Sequence, residues 1–189
     1  MGKLLVVTAP SGAGKTTIVK HLLKTFDRLA FSVSATTRTR RVGEVEGRDY
    51  YYINVSAFKR LIAEGAFVEW EEVYPNQFYG TLKSELHRLW SIGKDIVFDV
   101  DVHGAVDLEK VYPENTLTIF VKAPSPEILF ERLRNRRSEN EESLRKRIEK
   151  AAFELTFENR FDVVLVNDVL ERTLKEAEEI VAKWLIADC

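Results

Sequence analysis

The chain has 189 residues, 45% of them hydrophobic and 31% charged, with a formal net charge of −2. That is long enough for one domain with a good core, and the charge balance calls for neither a nucleic acid polymer nor an acidic membrane as partner. The one cysteine, Cys189, excludes an internal disulfide and a cysteine-built metal site and fits a reducing compartment. The apolar part of MGKLLVVTAP is too short for a signal or a membrane span, so a cytoplasmic protein is expected.

In chain order, Leu4 to Thr8 predicts a buried strand, and Lys15 to Phe26 puts Ile18, Val19, Leu22, Leu23 and Phe26 on one helical face. Between them lies TAPSGAGKTT. The pattern of a phosphate-gripping loop is G-x-x-x-x-G-K-[ST], and here Ala9 holds its first position. Ala9 falls at the strand's exit, where extended angles suffice, so a methyl group is tolerable. Gly12 and Gly14 supply the unusual backbone angles that turn successive N–H groups inward. Ser11, Ala13 and Thr17 complete the loop. Lys15 would reach the β and γ phosphates, the Thr16 hydroxyl would hold magnesium, and the following helix presents its N-terminus to the anion. A bare strand-to-helix turn is the alternative, and the strand, the helix and Lys-Thr in register weigh against it.

Ser34 to Tyr79 breaks the rhythm. It is rich in Arg, Thr, Glu and Tyr, and its short runs YYYIN and FVEWEEVY predict an antiparallel insert. Arg38, Arg40, Arg41 and Arg48, closed by Tyr50, could fork onto a second phosphate, or Glu44, Glu46 and Asp49 could simply neutralise them. Glu69 sits among Phe67, Val68 and Trp70, where a carboxylate is costly unless paired; by alternation it could equally face water. Further on, IVFDVD (Ile96 to Asp101), LTIFV (Leu117 to Val121) and VVLVN (Val163 to Asn167) predict strands. Helices are predicted from about Pro126 and over Leu170 to Trp184. Buried strands alternating with helices indicate a parallel sheet covered on both faces, an α/β fold. The run RLRNRRSENEESLRKR, Arg132 to Arg147, reads alone as a solvated helix face.

The ordered set APSGAGKT, FSVSATTRTRRVGEVEGRDY, FVEW, YGT, FDVDVHG, RLRNRR and VND is similar, over the whole chain, to the guanylate kinases. The resemblance implies a P-loop-type core (residues 1–33, 83–125 and 157–189), an inserted mixed or antiparallel GMP-binding part (34–82) and a helical lid (126–156). It implies reversible phosphoryl transfer from ATP with Mg2+ to GMP, with dGMP a further candidate acceptor. Arg38, Arg41, Tyr50 and Tyr79 would hold the GMP phosphate, and Ser34, Glu69, Thr81 and Asp101 would read the guanine. Asp99 resembles a carboxylate that helps organise magnesium through water. Arg136 and Arg147 would come down from the lid, and Asn167 would lie near the adenine. The lid pattern R-G-R-G-T becomes Arg134-Asn135-Arg136-Arg137-Ser138, which leaves Arg136 or Arg137 as the catalytic one. Thr81 stands where several relatives have serine, and His103 where glutamine is common; His103 is expected at the surface or behind the site.

Three other readings fit the phosphate loop: a sugar-phosphate kinase on the same scaffold, a phosphopeptide-binding module, and a P-loop switch. Glu69 speaks against the first, Lys15-Thr16 with the basic lid against the second, and the two arginine groups against the third.

Overall fold

A computed structural model describes residues 2–134 and 141–187. Its centre is a five-stranded parallel sheet in the order β2-β7-β1-β8-β9, formed by β1 (Leu4–Thr8), β2 (Leu29–Phe31), β7 (Asp95–Asp99), β8 (Thr116–Lys122) and β9 (Val163–Val166). β1 lies in the middle, with Leu4 paired to Ile96 on one side and Thr116 on the other. Its continuous apolar run has a reason: alternate side chains feed two separate cores. Leu5 and Val7 join Ile18, Leu22, Ile119, Leu129, Leu165 and Val181 on one face. Leu4 and Val6 join Leu86, Ile96, Phe98, Leu108 and Phe120 on the other. The first face is covered by α1 (Lys15–Thr25), α5 (Pro126–Arg134), α6 (Glu141–Leu155) and α7 (Leu170–Ile186). The second is covered by α3 (Lys83–Ser91) and α4 (Val102–Val111).

The insert is a second, four-stranded sheet in the order β4-β3-β6-β5, built from β3 (Ala35–Thr36), β4 (Tyr51–Tyr52), β5 (Phe67–Tyr74) and β6 (Gln77–Leu82), with α2 (Val55–Ala63) packed on it. Phe58 from α2 stacks on Phe67 and Phe78, with ring centroids 4.3 and 5.3 Å away, as the centre of a small core of its own. This sheet is mixed rather than wholly antiparallel, because β3 and β4 run parallel. Buried Glu85 fastens it to the main body. Its carboxylate accepts from the Val33 N–H, the Tyr51 hydroxyl and the Arg88 guanidinium at 2.8–3.2 Å.

Two strand ends differ from the sequence expectation. β7 stops at Asp99, and Asp101 instead caps α4, its Oδ1 accepting from the N–H groups of His103 and Gly104. β9 stops at Val166, one residue before Asn167. β2 and the helices α2, α3 and α4 were not picked out by periodicity. Arg132 and Arg134 fall in α5 and Arg147 in α6, while Arg136 and Arg137 lie outside the described residues.

Candidate active site

Two cavities open at the C-terminal ends of the central strands, the edge where open parallel sheets bind ligands. One, of about 410 Å³, lies over the glycine loop; the other, of about 460 Å³, lies between the loop and the insert. Thr16, Asp101 and Lys150 belong to the walls of both, so the two are neighbours across a thin partition.

The loop between β1 and α1 needs its glycines. Gly14 has a φ of 100°, and a Cβ there would come 2.2 Å from Asn167 Nδ2. That amide donates to the Ala13 carbonyl at 2.8 Å, and the Asn167 carbonyl accepts from Arg132 at 3.1 Å. Asn167, 7% exposed, thus braces the loop from behind. Ser11, Gly12, Gly14, Lys15, Thr16 and Thr17 face the first cavity, and Ala13 is buried beneath. Ala9 is also nearly buried, at the end of the strand. Lys15 Nζ pairs with Asp99 Oδ1 at 2.6 Å and donates to the Val100 carbonyl at 2.8 Å.

The lid helix α6 completes this cavity with Arg147, Lys150 and Glu154, which share a face by helical spacing. Glu154 is nearly buried; it accepts from the Ser11 N–H, and burial raises its pKa. His103 is exposed at the α4–α6 contact, its ring centroid 5.3 Å from that of Phe157 and 6.0 Å from that of Phe153.

Ser34, Tyr50, Glu69, Tyr79, Asp99 and Asp101 line the second cavity, together with Glu71, which the sequence reading did not single out. Glu69 reaches it through an irregularity. The ladder slips between Phe67 and Glu69, so Phe67 turns into the insert's core while Glu69 turns to the cavity. Gly80 opposite makes room for this, since a Cβ there would lie 2.8 Å from the Glu69 carbonyl oxygen. Burial pushes the Glu69 carboxyl up to about 7, and Thr81, directly across the ladder, offsets part of that effect. The Thr81 side chain is fully buried and stands behind the wall rather than on it. Glu71 shares a hydrogen bond with Asp101, and that bond, with burial, pushes it up to about 8. Although burial works the other way, the Glu71 bond and the Gly104 N–H hold Asp101 below its ordinary value.

The arginines divide. Arg38 lies behind the tyrosines, donating to the Tyr79 hydroxyl at 3.2 Å and sitting 5.3 Å from the Tyr50 ring. Glu44 grips it with both oxygens, at 2.7 and 3.1 Å, and this ion pair holds the Glu44 carboxyl down at about 2. Arg41 is exposed on the adjoining loop and is not brought into the wall; its backbone N–H donates to Glu44 at 2.7 Å. Glu71, Lys150 and Glu154 had a sequence signal only as i+2 and i+3/i+4 neighbours of Glu69 and Arg147.

Residues 1–184 match the family model described as guanylate kinase. A guanylate kinase of Chlorobium chlorochromatii (strain CaD3) is 42% identical over 184 residues, 97% of this chain and 96% of that protein. One of Porphyromonas gingivalis (strain ATCC BAA-308 / W83) is 40% identical over 186 residues, 98% of this chain and 99% of that protein. The crystal structure of guanylate kinase from Anaplasma phagocytophilum matches with a TM-score of 0.78 at 30% identity, covering 100% of this chain and 88% of that one.

Proposed function

Because the chain belongs to the guanylate kinase family and is thereby a kinase, we propose that it moves the γ-phosphoryl group of magnesium-bound ATP onto GMP, giving ADP and GDP, within its two joined cavities. The observation that carries this reading is Glu69. It is a carboxylate turned by a strand irregularity into a cavity that adjoins a phosphate loop. Guanine's Watson–Crick edge offers two adjacent donors, N1–H and the 2-amino group, and an ionised carboxylate accepts both side by side. Adenine offers an unprotonated N1 and no 2-amino group, so it would leave the carboxylate facing a lone pair. Ser34 adds a hydroxyl to the same wall, and Thr81 supports the strand from behind.

The acceptor phosphate belongs with Tyr50, Tyr79 and Arg38, and Arg41 must swing inward from the loop to join them. Arg38 can turn from Glu44 toward a phosphate dianion, a stronger bidentate partner for a guanidinium. In the other cavity the inward N–H groups of the glycine loop and the N-terminus of α1 take the ATP phosphates. Lys15, now held by Asp99, would reach the β and γ phosphates, and Arg147 approaches from the lid with Arg136 or Arg137. Asn167 acts here by bracing the loop.

Thr16 and Asp99 offer only oxygen, the donor set a magnesium ion takes when water and phosphates complete its shell. Once bound, the ion neutralises charge on the transferring phosphate. The protein's own share is alignment, positive charge and exclusion of water as α5 and α6 close.

A coupled assay with ATP and each of GMP, AMP, CMP and UMP tests the reading. GMP should be the preferred acceptor, and Glu69→Gln, which points a donor at a donor, should cost roughly 2–4 kcal/mol in kcat/KM for GMP. Unchanged GMP kinetics in Glu69→Gln would remove Glu69 from the base site.

A further inference from the structure

We propose that Glu71 is a positioning residue for guanine recognition: it holds the Asp101 carboxylate against the base's 2-amino group. The inference rests on the acceptor site described above and extends it to a residue beyond the base-reading set.

Guanine joined to ribose carries three N–H donors, one on N1 and two on N2. Glu69 accepts N1–H and the nearer N2–H. A single donor on the base is then left for Asp101, the other N2–H. Asp101 is half committed already, since its Oδ1 accepts from the His103 and Gly104 N–H groups at 3.1 and 3.0 Å. That leaves Oδ2 for the base. Glu71 hydrogen-bonds the same carboxylate from β5, two residues beyond Glu69 on the cavity-facing side.

Two carboxyl groups can share such a bond only if one keeps its proton. The surroundings decide which. Asp101 has two backbone N–H groups, the N-terminal end of α4, and Lys150 Nζ 3.8 Å from its Oδ2. Glu71 faces Asp101 and Glu69, with Lys150 on the lid side and Tyr79 opposite it on β6. Asp101 therefore stays ionised and Glu71 donates. The proton fixes the rotation of Asp101 from the side that the helix cap leaves open.

The test compares GMP with inosine monophosphate, which is GMP without the 2-amino group. N1–H, Glu69 and the phosphate are common to both, so the ratio of their kcat/KM values isolates the last N2–H. Glu71→Ala should lower the GMP-to-IMP ratio by about 10-fold or more, mostly through KM for GMP, as expected when a site built on hydrogen bonds loses one. Glu71→Gln, whose amide still donates to Asp101, should recover most of the ratio. In the wild type the ratio should fall above about pH 8, where Glu71 gives up its proton. In Glu71→Gln it should stay flat there. A merely structural role for Glu71 would move both nucleotides together. A Glu71→Ala enzyme that keeps the wild-type ratio, or a Glu71→Gln enzyme with the wild-type alkaline fall, overturns the inference. If the wild type itself fails to prefer GMP over IMP, the base-site reading falls first.

Discussion

Gly104 has no side chain, and the Glu69 carboxylate uses the space. A Cβ at this position, in the first turn of α4, would lie 3.3 Å from Glu69 Oε2 and 3.3 Å from Val100 Cβ. Contacts that tight force a neighbour to move, and Glu69 is the more flexible of the two. Gly104→Ala should therefore raise KM for GMP by about 10-fold, a cost of roughly 1.4 kcal/mol, while KM for ATP changes little. Steady-state kinetics with each substrate varied will show it; a change confined to ATP would place the effect elsewhere. The glycine was visible in the FDVDVHG run, but its reason was not. A sequence does not show that a carboxylate 35 positions earlier ends beside it. Glu69 itself was half legible. Alternation left it facing either the apolar side or water, and the slip in the β5–β6 ladder that settles its direction depends on Gly80 and the turn beyond.

The phosphate loop was the most legible element, because its chemistry is local: strand, glycines, lysine and helix follow in one short run. β1 and α1 begin where their apolar patterns begin. Lys15→Met keeps the length of the side chain and removes its charge, and turnover should drop by at least ~100-fold, as when one main electrostatic stabiliser is lost. Its partners Asp99 and Val100 O are only partly buried, so the melting temperature should move little. Near-normal turnover with a normal melt would count against the loop's assignment. Elements set by long-range packing were harder to read. α2, α3 and α4 have 9 or 10 residues each and mix charged with apolar positions, so their periodicity is short and weak. The charged stretch of α6 read as a solvated face. In the fold it turns Arg147, Lys150 and Glu154 toward the phosphate loop.

At the scale of the whole molecule, the carboxyl groups of the cleft oppose those that hold the fold together. Glu69 and Glu71 bind protons more tightly folded than unfolded, where a glutamate titrates near ~4.3. The folded state then holds more protons than the unfolded state between about pH 5 and 8, and its stability falls as pH rises through that window. Glu44 and Glu85 are shifted the other way, Glu85 by Arg88, Val33 and Tyr51 against its burial. Their contribution is present above their unfolded values and is lost as pH drops further into acid. Ligand-free protein should thus melt at a lower temperature at pH 8 than at pH 5.5, and a Glu69→Gln, Glu71→Gln double variant should lose most of that difference. Thermal unfolding at the two pH values decides it; an equal drop in wild type and double variant would trace the pH dependence to other groups. The family and the sheet were legible because motif order survives in the chain. The mixed pairing of the insert was not, since the strands Ala35–Thr36 and Tyr51–Tyr52 have two residues each and owe their register to the neighbours they meet.

The place of β1 also bears on how the chain is made. The strand that carries the phosphate loop is synthesised first, yet it is central, and its partners begin with Ile96 and Thr116. At about 5–20 residues per second the nascent strand waits roughly 5–20 s for its first neighbour. During that wait LLVVT is an unpaired apolar segment, the kind that calls for a chaperone at the ribosome. The insert, closed around Phe58 within residues 35–82, has no such delay. The part that chooses the acceptor can take shape on the ribosome before the part that grips the donor.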